Sequence, residues 1–302
     1  MASRPYMSSM QKIIRRFLKH KTFLLVLGML ACAAGGFAAG YAAKPPVVVS
    51  ARAVRENTAA YRFIRPLLLV SRPDISVPSP EYASLAKKIQ SYVGEQKKAG
   101  VLDTASVVFI NYGKGGSFGI DPGVRYAPAS LLKVVIMVAY LKQSDSDPSV
   151  LDRRLPYGPG IAQHLEYVPF EAPSALVPGR SYSVSELIDA MIVESDNGAM
   201  NVLLTNISDD YLSGVYGELG LSGPESGERY TISAADYSVF FRIMYNGTYL
   251  SDASSEKALS ILSRATFMDG LAAGVPSGTV VAHKFGEHVE GADGRVELRR
   301  TA

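Results

Sequence analysis

The chain has 302 residues, enough for one or two domains, and its 47% hydrophobic content supplies a buried core, which excludes a disordered polymer. Six of its 31 basic residues (Arg4, Lys12, Arg15, Arg16, Lys19 and Lys21) lie in residues 1–21, which hold no Asp or Glu, so the formal +3 becomes −3 outside the leader and no nucleic-acid-binding surface is indicated. The single cysteine, Cys32, excludes a disulfide framework and a thiolate metal cluster.

Residues 1–21 read as a basic cytoplasmic leader and 22–43 as a transmembrane helix. The second segment carries no charged residue, and at ~1.5 Å per residue it spans about 33 Å against a hydrocarbon core of ~30 Å. Basic residues on its N-terminal side direct everything after Lys44 to the extracytoplasmic side. A cleaved signal peptide is the competing reading, with Ala38, Gly40, Ala42 and Ala43 as candidate cleavage-site residues. The length of the apolar run favours the anchor.

Residues 44–80 read as a linker, stiffened at Pro45 and Pro46, with one apolar run over 63–70 that is a candidate edge strand despite Pro66. A folded domain is expected over 81–302. Leu85, Ile89 and Val93 recur at helical spacing before a stop at Gly100. A β-rich run over 105–111, turn chemistry over 113–116 and a second run over 117–121 predict a hairpin. After Pro128 comes a helix over 131–141 that is apolar on every side, and therefore buried. Amphipathic helical stretches follow to about residue 250, clearest over 185–194 and 198–207. Strand character returns over 279–288, with a hairpin partner over 294–299. Hairpin, helical block and hairpin together predict an α/β (α+β) fold, one antiparallel sheet flanked by helices and carrying a large helical insertion.

Lys133 is the only charged residue in that apolar helix. Burial penalises its charged form and drives it towards a neutral amine. Ser130 precedes it by one helical turn, so the pair reads as a general base beside a nucleophile. A serine in a first helical turn also meets free backbone N–H groups and the positive end of the helix dipole, which favour a developing oxyanion. Taken singly, Ser-x-x-Lys recurs by chance, a serine at a helix start more often caps it, and Ser195-Asp196-Asn197 between two helices reads as an N-cap turn. Lys284-Phe285-Gly286 on the late strand is the weakest of the three signals.

In combination and in this order, the three elements resemble those of class A β-lactamases and penicillin-binding proteins. The resemblance runs over about 81–290, strongest at Tyr126-Ala127-Pro128-Ala129-Ser130-Leu131-Leu132-Lys133, with a further likeness over 230–251. It implies a β-lactamase/transpeptidase-like fold and a serine hydrolase. Ser130 attacks the carbonyl and neutral Lys133 takes its proton. Backbone N–H groups of Ser130 and Glu287 hold the oxyanion, and Ser195 relays a proton to the leaving nitrogen. Asn197 holds the substrate amide and Lys133, while Lys284, with Gly286 beside it, draws in a substrate carboxylate. No metal or organic cofactor is implied; the partner is a small-molecule β-lactam or a cell-wall stem peptide.

Three departures qualify what the resemblance implies. The stretch 219–233 lacks the Glu-x-x-Leu-Asn setting of the deacylating glutamate, and its acids Glu225 and Glu228 read as solvated loop charges. Losing such a base costs about 10²- to 10⁴-fold in deacylation. Phe285 stands where the family has a small hydroxyl residue, and neither His283 nor His288 supplies a convincing metal set. Finally, the sequence stops 16 residues after Gly286, so the family's last strand and C-terminal helix are expected to be missing; without that strand the two hairpins cannot share one ladder. Three functions stay open: a β-lactam hydrolase, a D,D-peptidase of cell-wall peptides, and a non-catalytic cell-wall binding module.

Overall fold

A computed structural model describes residues 61–64, 75–158, 176–224, 230–292 and 295–301, all within the unit Ala51–Ala302. The leader and the anchor expected over 22–43 lie outside them; among the described residues no helix is long and apolar enough to cross a membrane.

Helix α1, Ala83–Lys98, ends near Gly100, which takes the left-handed conformation (φ +70°) that a side chain would resist. Its buried face is Ala86 and Val93 with Ile89 packed beside them, whereas Leu85 is 40% exposed. Ile89 and Val93 thus lie on the expected face, while in place of Leu85 the smaller Ala86 packs with Phe118 and Ile120 of the hairpin. That hairpin pairs β1, Val107–Ile110, with β2, Ser117–Ile120, antiparallel. Its turn closes on Asn111, whose Oδ1 accepts from the N–H groups of Gly113 and Lys114 at 3.0 and 2.9 Å.

After β3, Arg125–Tyr126, the chain makes one 3-10 turn over Ala129–Leu131 and enters α2, Leu132–Ser146. Every residue of α2 from Lys133 to Leu141 is buried. A helix without a polar face must be enclosed, and here it forms the axis of the core. Next along the chain come β4, Arg154–Tyr157, β5, Arg180–Ser183, α3, Val184–Val193, α4, Asn197–Thr205, and α5, Asp209–Glu218, of which the three helices pack against α2. After these come β6, Ile232–Ser233, α6, Ala234–Asn246, and α7, Asp252–Leu262. The helices expected over 185–194 and 198–207 correspond to α3 and α4. Ser183 and Glu186 close a reciprocal capping box at the start of α3, and Asp196 caps α4.

The last hairpin joins β7, Gly286–Ala292, to β8, Arg295–Thr301. The strand expected from 279 therefore begins later, and Lys284 and Phe285 stand just before it. Residues 279–285 are drawn to the end of α7 instead, where His283 donates its N–H to the Leu262 carbonyl at 3.3 Å.

Among the described residues the strands form four two-stranded ladders, β1–β2, β3–β6, β4–β5 and β7–β8, rather than the single sheet expected. Among the described residues no strand bridges the two long hairpins, so no hydrogen-bond ladder runs between them. β7 lies instead against the turn that carries Ser130.

Part of the segment read as linker is docked on this core. Ile64 is fully buried, and the N–H groups of Arg62, Phe63 and Ile64 donate to the Glu256 carboxylate on α7 at 2.7, 2.8 and 3.0 Å. Three successive donors turned to one carboxylate cannot also serve a ladder, so residues 61–64 form no strand; the rest of the candidate edge strand, 65–70, lies outside the described residues.

Candidate active site

Lys133 occupies the first turn of α2 with no exposed surface, and its Nζ lies 2.9 Å from Ser130 Oγ. Three more acceptors surround that amine: the Ser195 carbonyl at 2.6 Å, Ser195 Oγ at 3.1 Å and Asn197 Oδ1 at 2.6 Å. Burial lowers the lysine to about 7 from the usual 10.5, opposed by the negative charge of Asp196. The site therefore holds a base that is substantially neutral near neutral pH and already in contact with the serine hydroxyl.

Backbone geometry aims these groups. Ala129 and Ser195 both take φ in the left-handed region, +48° and +58°, which costs a residue with a Cβ of order 1 kcal/mol or more. At Ser195 the excursion lies between α3 and α4 and turns both carbonyl and hydroxyl of one residue towards Lys133. Ser-Asp-Asn thereby divides its labour. Asp196 Oδ1 accepts from Ala199 N–H at 2.6 Å and caps α4, while the residues on either side of it face the amine. The capping reading and the polar-site reading of that tripeptide both describe what is found, for different residues.

Lys284 reaches the same centre from the segment before β7. It is 3% exposed, and its Nζ donates to Ser195 Oγ at 2.8 Å and to the Phe285 carbonyl at 2.9 Å. Burial, and then the nearby Lys133, lower it to about 6. Ser130, Lys133, Ser195, Asn197 and Lys284 thus form one connected hydrogen-bonded group. Gly286 and Glu287 open β7, the strand that lies against the Ser130 turn; Glu287 is buried.

His283 is half-buried just outside this group, with its imidazole lowered by burial and by Lys284. Glu225 and Glu228 lie outside the described residues. Among the described residues no group of three or more His, Cys, Asp or Glu side chains is arranged to hold a metal ion.

Several neighbours carried no sequence signal. Phe267, in the loop after α7, stacks on Phe285 with ring centroids 3.8 Å apart, and the Phe285 ring centroid is 4.3 Å from Lys284 Nζ. Tyr157 packs so closely on the start of α4 that a Cβ at Gly198 would come within 2.1 Å of its hydroxyl. The glycine directly after Ser-Asp-Asn was the one available hint of that approach. An apolar cavity of about 280 Å³ between β1 and α6, lined by Val108, Phe109, Ile110, Tyr112, Ser238 and Phe241, includes none of the predicted site residues.

The model of the beta-lactamase enzyme family matches residues 84–293, most of the chain and all of this site. The chain belongs to the beta-lactamase enzyme family. A β-lactamase of Streptomyces fradiae is 31% identical over 103 residues, which span 30% of this chain and a third of that curated relative. Among solved structures, PBP-A is 25% identical with a TM-score of 0.58, over 71% of this chain and 80% of its own. A point variant of PBP-A, solved as an acyl-enzyme complex with penicillin G, gives 25% identity and a TM-score of 0.57 over 72% and 80% of the two chains. A β-lactamase from Desulfarculus baarsii is 25% identical with a TM-score of 0.56, over 68% of this chain and 79% of its own. These likenesses agree with the α/β fold of the superfamily.

Proposed function

We propose that the protein is a serine hydrolase that opens β-lactam rings through an acyl-enzyme on Ser130. The observation that carries this reading is the 2.9 Å contact between Ser130 Oγ and the buried amine of Lys133. In the proposed reaction Lys133, in its neutral form, accepts the Ser130 proton as Oγ bonds to the lactam carbonyl carbon. Backbone N–H groups of Ser130 and Glu287 stabilise the oxyanion. The C–N bond then breaks, and the proton reaches the leaving nitrogen through Ser195, which Lys133 and Lys284 both contact. Asn197 holds Lys133 and the substrate amide, and Gly286, next to Phe285 at the start of β7, takes part in substrate binding. Water finally hydrolyses the ester.

A D,D-peptidase acting on cell-wall stem peptides uses the same acylation machinery. It is favoured by the stretch 219–233, which lacks the glutamate setting for rapid deacylation. In either case the charge-free segment 22–43 behind a basic leader supports a domain tethered on the outer side of a membrane.

A fluorescent penicillin tests the common core. Covalent label on the wild type that disappears in Ser130→Ala supports a live nucleophile, and no label on folded protein leaves only a binding module. A chromogenic lactam then separates the two enzymes: continuous turnover supports the hydrolase, and one stoichiometric acylation supports the peptidase.

A further inference from the structure

Lys284 has little left to offer a substrate anion. A charged lysine has three N–H bonds and a neutral one has two. Here the Ser195 hydroxyl, the Phe285 carbonyl and the face of the Phe285 ring already surround the amine, at 2.8, 2.9 and 4.3 Å. Phe285 is itself 7% exposed and is backed by the stacked ring of Phe267. A carboxylate seeking this amine has to displace a ring that is held by a second ring. Without that displacement it stays beside an aromatic face, which repels negative charge. Lys133 cannot substitute, because it is fully buried and already meets four acceptors.

We infer that Phe285, braced by Phe267, is a specificity-determining residue that covers the Lys284 amine and turns the site towards acyl donors bearing no carboxylate beside the leaving nitrogen. The inference rests on the acyl-enzyme reading above and narrows its substrate class to neutral or esterified lactams and amides. In it Lys284 acts as a positioning residue for the Ser195 hydroxyl rather than as an anchor for an anion.

Penicillin G and its methyl ester form the discriminating pair, with the rate of adduct formation on Ser130 followed by intact-protein mass spectrometry. The ratio of ester to acid is divided by the ratio of their alkaline hydrolysis rates, which removes intrinsic reactivity. The wild type is expected to favour the ester by about 10-fold or more, as for one charge-assisted hydrogen bond withheld from the acid. Phe285→Ser uncovers the amine and is expected to move the ratio at least tenfold towards the acid. Phe285→Leu keeps an apolar cover and is expected to retain the wild-type preference, so a fold disturbed by the serine variant does not decide the matter. A wild-type preference for the acid, or an unchanged ratio in a folded Phe285→Ser, overturns the inference while leaving the acyl-enzyme intact. No adduct with either compound overturns both.

Discussion

Lys133 and Lys284 converge on a single oxygen: their amines lie 3.1 and 2.8 Å from Ser195 Oγ. Both amines are buried, Lys284 feels the charge of Lys133, and the negative charge of Asp196 acts on Lys133. Burial strips water from both amines, and the Lys133 charge further opposes one on Lys284, so the pair discharges well below the ordinary lysine range. A hydroxyl held between two amines that gain and lose protons near neutrality is well suited to pass a proton on.

The rate of Ser130 acylation is therefore expected to rise with pH through about 7 and to level above it, because the general base works only when its amine is neutral. Lys133→Met, which keeps the volume and removes the base, is expected to lower acylation by about 10²- to 10⁴-fold and to abolish this limb. Stopped-flow labelling from pH 5.5 to 9 checks both; a rate that falls as pH rises through 7 contradicts the assignment of the base.

Stability should follow the same protons. Lys133 and Lys284 have folded values of about 7 and about 6 against 10.5 unfolded, so between about 7 and 10 the unfolded chain binds more protons than the native one. Unfolding free energy then increases with pH across that window. Above about 10 the sign reverses, because buried tyrosines such as Tyr140, raised to about 12, stay protonated only in the folded state. Urea midpoints measured from pH 6 to 11 are expected to peak near pH 9 to 10, and Lys133→Met should flatten the rising side.

Gly198→Ala is expected to destabilise the fold by about 1–3 kcal/mol, as overpacking does in a closed core. The added Cβ would lie 2.1 Å from the Tyr157 hydroxyl, and Tyr157 is buried, so its ring has little room to withdraw. The start of α4 carries Asn197, so the variant should also acylate more slowly. Adding Tyr157→Phe removes the nearest atom and should recover part of the melting temperature.

Glu256→Ala removes the carboxylate that gathers the N–H groups of Arg62, Phe63 and Ile64. A loss of about 1–3 kcal/mol is expected. Native-state hydrogen exchange should accelerate at residues 62–64 and hardly at all in α2. Uniform acceleration across the core would instead mean that this arm is part of the global folding unit.

The chemistry of this protein was legible wherever it is written locally. Ser130 and Lys133 are one turn apart on a helix whose other residues are apolar, so spacing and desolvation can be read without a fold. Ser195-Asp196-Asn197 was legible as a turn between helices, and its capping and polar roles fall to adjacent residues. The left-handed backbone at Ala129 and Ser195, which aims these groups, left no trace in composition, because neither residue type prefers that region.

What tertiary structure alone decided is a set of contacts between distant segments. The meeting of Lys133 with Ser195, and the covering of Lys284 by Phe285 and Phe267, join parts of the chain that periodicity treats independently. The same holds for Ala86 replacing Leu85 on the buried face of α1 and for the late start of β7. Local sequence sets which conformations are cheap over one or two turns of helix or one hairpin. Which faces then meet depends on filling a shared volume at close packing, and that condition involves every element at once.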